Sequence, residues 1–140
     1  MIKKLFRIFS LPFGLFCFHL VLVFLGFYKR HPWIDIPMHV LGGVFIAYSL
    51  NLAITYFQER KLASELNILS RSVFLFALTS SAAVIWEFGE FSLDFLFGTV
   101  AQASLEDTML DMFLGLVGGT ALIVILARGS IKDYLEPITK

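Results

Sequence analysis

The chain is poor in the residues that build many soluble sites. One cysteine, Cys17, among 140 residues excludes an intramolecular disulfide framework and a cysteine-rich metal site. Charge is scarce and balanced, with 11 Lys and Arg against 11 Asp and Glu. No basic and aromatic motif accompanies it, so nucleic-acid binding has no support. Nucleophile and protease signatures are missing too: there is no G-x-S-x-G and no H-E-x-x-H. Ser92 and Ser104 read as a helix-facing and a capping residue. No internal repeat or low-complexity tract divides the chain.

What fills the chain instead is apolar. Hydrophobic residues make up 58%, 16 residues are Phe, and mean hydropathy is +0.82, beyond the usual range of soluble domains. Apolar runs at roughly 8–28, 36–57, 72–97 and 108–127 each approach the ~20 residues that cross a hydrocarbon core as helix. The sequence therefore predicts an all-α integral membrane four-helix bundle, residues 1–140 forming a single four-span domain. Lys3, Lys4 and Arg7 precede the first run in the manner of a signal peptide, but no small-residue cleavage site follows and the stretch continues through Phe27. A retained first helix is expected.

Basic residues set the orientation. With four spans, one side carries Lys3, Lys4, Arg7, Arg60, Lys61, Arg71, Arg128, Lys132 and Lys140, and the other only Lys29 and Arg30. The positive-inside rule then places both termini in the cytoplasm. The tail from Arg128 reads as an interfacial helix before Pro137, with Ile131, Leu135 and Ile138 at helical spacing.

Seven ionisable residues lie within or beside these runs: Asp35, His39, Glu87, Glu90, Asp94, Asp107 and Asp111. The topology brings all seven to the outer ends of three helices. At about 100° per residue, Glu87, Glu90 and Asp94 share about 60° of arc, and the pairs Asp35 and His39, and Asp107 and Asp111, are one turn apart. Gly42 and Gly43, the G-x-x-x-G of Gly115 and Gly119, and Ser80 to Ala83 offer small surfaces for close helix packing.

Each residue also has a plainer reading. Asp35 before Pro37 fits a helix cap, and Ser104 with Asp107 fits a loose capping box. His39 fits a hydrogen-bonded core histidine, His19 a structural residue of the first helix, and Asp94 a charge at the headgroups. Tyr28 and Trp33 read as aromatic-belt anchors. Glu87 and Glu90 resist such accounts: they lie one to two turns below the surface, and the helix dipole disfavours anions in the last turns.

Six carboxylates around one neutral histidine cannot all remain ionised in a low-dielectric pocket unaided. A bound divalent cation removes that conflict. Intramembrane charge is in any case a mark of function. His39, Glu87, Glu90, Asp107 and Asp111 are the expected metal ligands, with Asp35 or Asp94 as general base. Carboxylate-rich sites suit Mg²⁺, Mn²⁺ or Ca²⁺, while one or two histidines also permit Zn²⁺ or iron.

The strings D-I-P-M-H at 35–39 with Gly42 and Gly43, W-E-F-G-E at 86–90 with Asp94, and D-T-M-L-D at 107–111 with glycines after it resemble the YjdF-like bacterial inner-membrane proteins and, more loosely, the VanZ-like group. The resemblance implies a small helical protein of the bacterial inner membrane. The VanZ-like group is associated with glycopeptide resistance, which points to an outward-facing activity on lipid or cell-wall intermediates. Acids one turn apart also occur in CDP-alcohol phosphotransferases, but the D-G and A-R elements of that signature are absent.

Three functions follow from this reading. The first is a metal-dependent hydrolase or transferase acting on a lipid-linked or phosphorylated substrate at the outer leaflet. The second is ion transport or proton relay, for which the inner halves of the helices offer only Ser49, Asn51 and Thr55, so that a complete path calls for a homo-oligomer. The third is a binding or assembly role for the acidic patch.

Overall fold

A computed structural model describes residues 2–135, with side chains through residue 129. All regular structure among the described residues is helical. Helix α1 (Ile2–Ile8) and helix α2 (Ser10–Phe24) are bent by 60° from one another. A one-turn helix α3 (Phe27–Arg30) and a 3₁₀ turn (Pro32–Ile34) lead into α4 (Asp35–Glu59), followed by α5 (Ile68–Phe97) and α6 (Leu105–Leu135).

Three segments are long and apolar enough to cross a membrane: Pro32–Glu59, Ile68–Phe97 and Leu105–Gly129. Where a first helix is expected at roughly 8–28 stands the bent pair α1 and α2, and Pro12 supplies the reason. Pro12 has no N–H to donate to the Ile8 carbonyl four residues back, and its ring crowds that carbonyl. The freed Ile8 oxygen accepts a bond from Ser49 Oγ on α4 at 2.8 Å. Ser49, fully buried, thus spends its hydroxyl on a helix break rather than on an ion path.

Local signals fix the other ends. Asn67 caps α5 by accepting from the Ser70 amide at 2.9 Å, which starts this helix at Ile68 rather than near 72. Gly98, at φ 62°, closes it in the left-handed conformation that glycine adopts freely. Ser104 Oγ accepts from the Asp107 amide at 3.2 Å while Asp107 Oδ2 accepts from the Ala103 amide at 3.1 Å, a variant of the capping box that opens α6. Helix α6 continues to Leu135; the tail features Pro137 and Ile138 lie outside the described residues.

The core is made by α4 against α6, flanked by α5, with α2 packed on α4. Two glycines set the spacing. A Cβ on Gly43 would collide with the Gly115 carbonyl, and one on Gly118 would collide with the Val40 carbonyl, so α4 and α6 meet backbone to backbone. Gly42 and Gly115 have ordinary clearance and do not set the approach. Ala47, Ile54, Leu75 and Ile123 pack below this crossing. The outer faces carry exposed apolar side chains such as Ile85, Phe88, Phe91 and Phe95, as lipid contact requires, and Cys17 is exposed.

Candidate functional site

The backbone contact of α4 and α6 draws their outer turns together, and α5 closes the third side. His39 stands at the centre. Its Nε2 lies 3.3 Å from Asp35 Oδ1, 3.7 Å from Asp111 Oδ1 and 3.9 Å from Glu90 Oε1, and its Nδ1 lies 3.8 Å from Glu87 Oε1. His39, Glu87, Glu90 and Asp111 are all buried, at 7% exposure or less.

Two overlapping groups of ligand-type atoms result. One atom each from His39, Glu87, Glu90 and Asp111 lies within 4.8 Å of the others, and so does one atom each from Asp35, Asp107 and Asp111. A divalent ion with bonds of about 2.0–2.5 Å separates its own ligands by roughly 3–5 Å, so the first group has the span of a coordination shell. The second is less buried and lies toward the helix ends, with Asp111 common to both.

Charge and hydrogen bonding in this cluster are unevenly matched. Among the described residues every ion pair to these carboxylates comes from a histidine, none from a lysine or arginine. His39 Nε2 and Glu87 Oε1 are buried and make no hydrogen bond. Such atoms are costly unless a ligand completes them. A cavity of about 30 Å³ adjoins His39 and is lined also by Thr79, Trp86 and Asp111. It is large enough for solvent, since one water needs roughly 10–15 Å³ by this measure.

Neighbouring groups hold the acids in place. Trp86 Nε1 donates to Glu90 Oε1 at 3.0 Å, a bond between residues one turn apart. Gln102, in the loop before α6, donates from Nε2 to the Glu87 carbonyl at 3.0 Å and to Glu87 Oε2 at 3.1 Å. Glu87 therefore keeps one oxygen fixed, while the other, Oε1, faces His39 Nδ1 at 3.8 Å without a hydrogen bond.

The seven expected residues divide. His39, Glu87, Glu90 and Asp111 come together, and Asp35 joins them through His39 rather than capping α4, where no side-chain cap bond forms. Asp107 is shared between the outer group and its capping bond to Ala103. Asp94 is engaged elsewhere. Its Oδ1 accepts from Thr99 Oγ1 at 2.6 Å and the Ala101 amide at 2.7 Å, and its Oδ2 from the Gln102 amide at 2.9 Å. The carboxylate proposed from sequence as a general base thus clasps the loop that carries Gln102.

His19, read from the sequence as a structural residue of the first helix, lies beside the cluster. It is 1% exposed, its Nε2 lies 3.3 Å from Glu90 Oε1 without a hydrogen bond, and its Nδ1 shares a hydrogen bond of 2.8 Å with Tyr28 OH. Tyr28 is accordingly more than a belt residue. Depth was the available signal: His19 lies nine residues before Tyr28, and Glu90 seven before Phe97, so both sit at similar distances from the same end of the helices. Gln102 gave no signal, being an ordinary polar residue in a loop.

Residues 3–131 match a protein family described as "Predicted membrane protein (DUF2238)". The chain belongs to this family. The DUF2238 match spans the α4, α5 and α6 motifs and the first helices, and it supports a membrane protein rather than the YjdF-like or VanZ-like naming. No curated protein and no solved structure matches the chain.

Proposed function

We propose that the cluster is a divalent-metal centre and that the protein is a four-span enzyme of the bacterial inner membrane, termini cytoplasmic, hydrolysing or transferring a lipid-linked or phosphorylated envelope substrate. One observation carries the reading: buried His39 Nε2 and Glu87 Oε1, without hydrogen bonds, stand among carboxylates whose ligand atoms converge within 4.8 Å. His39, Glu87, Glu90 and Asp111 are the proposed inner ligands, and Asp107 an outer one. Bound there, a divalent ion supplies Lewis-acid polarisation of a phosphoryl or carbonyl oxygen and activation of water.

The chain's own groups then have separate tasks. Gln102 and Trp86 fix Glu87 and Glu90, and half-buried Asp35, against His39, is the carboxylate best placed to take a proton from an entering water. The outer group, being less buried, is where an anionic substrate oxygen would approach. Transport is the weaker reading, because the Gly43 and Gly118 backbone contacts close the space between α4 and α6 just beneath the cluster.

Elemental analysis of the detergent-purified protein tests the proposal, with folded Glu87→Gln, Glu90→Gln and Asp111→Asn variants beside it. Stoichiometric metal lost in all three supports it. Absence of metal after loading with Mg²⁺, Mn²⁺, Ca²⁺ and Zn²⁺ sinks it.

A further inference from the structure

We infer that the opposite end of the molecule holds a binding site for the phosphate headgroup of an acidic glycerophospholipid, formed by α1 against the last turns of α4. Asp35 and Glu59, at the two ends of α4, are about 36 Å apart along the helix, so this site is separate from the acid and histidine cluster.

The Pro12 bend builds it. Turned by 60° from α2, α1 rests on α4 through Ile8, which packs with Ala53 and Tyr56, and the Ser49 bond to the Ile8 carbonyl fixes the joint. Between α1 and α4 lies a cleft of about 470 Å³, lined in part by Lys3, Lys4, Arg7, Thr55, Tyr56 and Glu59. Its three cations face a single carboxylate, and among the described residues no ion pair joins any of the three to an acid. The Tyr56 ring, 3% exposed, already takes Lys4 Nζ at 5.1 Å and the Arg60 guanidinium at 5.4 Å from its centroid. Three cations lining a cleft with one carboxylate, Lys4 already over the Tyr56 ring, leave positive charge for an anion to neutralise.

The surroundings choose a lipid over a free anion. On α1, Ile2 and Phe6 are exposed, at 81% and 67%, and the Phe6 ring lies 6.0 Å from that of Phe13 on α2. A short helix with cations toward a cleft and apolar side chains outward lies in the headgroup plane, where each cation near an anionic surface strengthens binding about fivefold. A phosphodiester in the cleft would leave its acyl chains along Phe6 and Phe13. The cleft is also roomy enough for a glycerol headgroup, which a bare phosphate would not fill.

Native mass spectrometry of the intact protein released from nanodiscs of phosphatidylglycerol or phosphatidylcholine tests this. The expected result is retention of phosphatidylglycerol at least about tenfold above phosphatidylcholine. Retention is lost in a Lys3→Gln, Lys4→Gln, Arg7→Gln variant and kept in Lys3→Arg, Lys4→Arg, which separates lost charge from a disturbed fold. Equal retention of the two lipids, or undiminished retention in the triple variant, overturns the proposal. Displacement of the lipid by millimolar inorganic phosphate also overturns it, assigning the cleft to a soluble anion.

Discussion

Two polar clusters interrupt this apolar protein, one around Arg71 and one around His39, and they are built on opposite principles. Arg71 sits in the first turn of α5, where the helix dipole disfavours a cation, yet it spends four of its five N–H donors on α4. Nε donates to Asn51 Oδ1 at 2.9 Å, one terminal nitrogen to Gln58 Oε1 at 3.3 Å, and the other to the Asn51 carbonyl at 3.0 Å and to Thr55 Oγ1 at 2.5 Å. Around His39, by contrast, more carboxylates gather than cations, and buried ligand atoms go without hydrogen bonds. A network completed by its own side chains serves structure. One left incomplete by the chain leaves places for a water or an ion to complete it.

The glycine contact beside the His39 cluster gives the largest expected effect. Gly43→Leu would drive a side chain into the Gly115 backbone, forcing α4 from α6 at a cost of at least ~3 kcal/mol. Unfolding by denaturing detergent should show that loss, and metal binding should vanish with it. A variant of wild-type stability would mean that the α4 and α6 crossing is not the frame of the site.

Next comes the completed network. Arg71→Met removes four hydrogen bonds from a charged donor and leaves Asn51, Thr55 and Gln58 to find other partners, a loss of about 3 kcal/mol. Metal content per folded molecule should be unchanged. Destabilisation below about 0.5 kcal/mol would show that the bonds contribute no more than an exposed pair does, and the contrast between the two ends would lose its structural half.

Glu87→Gln probes the incomplete cluster and should behave in the opposite sense. Removing one of several crowded like charges stabilises the metal-free protein by about 1 kcal/mol, because the buried pocket then holds less uncompensated charge. On the proposed metal centre, affinity should fall about 100-fold, and any thermal stabilisation by added metal should disappear with it. Thermal scans with and without added metal check both signs at once. A variant less stable than wild type in the absence of metal would identify Glu87 as an ordinary structural acid.

Residue spacing made much of this visible in the sequence, for definite physical reasons. One-turn separation on three helices with alternating direction is enough to place Asp35, His39, Glu87, Glu90 and Asp111 at one depth, and hydropathy locates the helices that carry them. What escaped depends on contacts between distant segments or on loop geometry. The bend at Pro12 was readable only by asking where the Ile8 carbonyl would go, and Ser49 answers from 41 residues away. Asp94 looked equivalent to Glu87 and Glu90 on a helical wheel, but one turn nearer the end of α5 it meets the amides of Ala101 and Gln102 instead. Asp107 proved to be both cap and neighbour of the cluster, two readings that spacing alone could not separate.

Tyr28→Phe should have the smallest effect and gives the sharpest test of where the incomplete cluster ends. His19 Nε2 faces Glu90 while Nδ1 is held by the Tyr28 hydroxyl, the arrangement by which an outer partner orients a ligating imidazole. If His19 joins His39 on the ion, the site holds two imidazoles, which moves its preference from Mg²⁺ or Ca²⁺ toward Mn²⁺, iron or Zn²⁺. Phenylalanine keeps the ring packing against His19, whose centroid is 5.4 Å away, and removes only the hydroxyl. The expected outcome is a loss of about tenfold in Zn²⁺ affinity with Mg²⁺ affinity unchanged, measured by competition with a chelator of known strength. Equal losses for both ions would make Tyr28 a packing residue. No loss for either would leave His19 as a neighbour of Glu90, and the inner shell would be His39 with carboxylates alone.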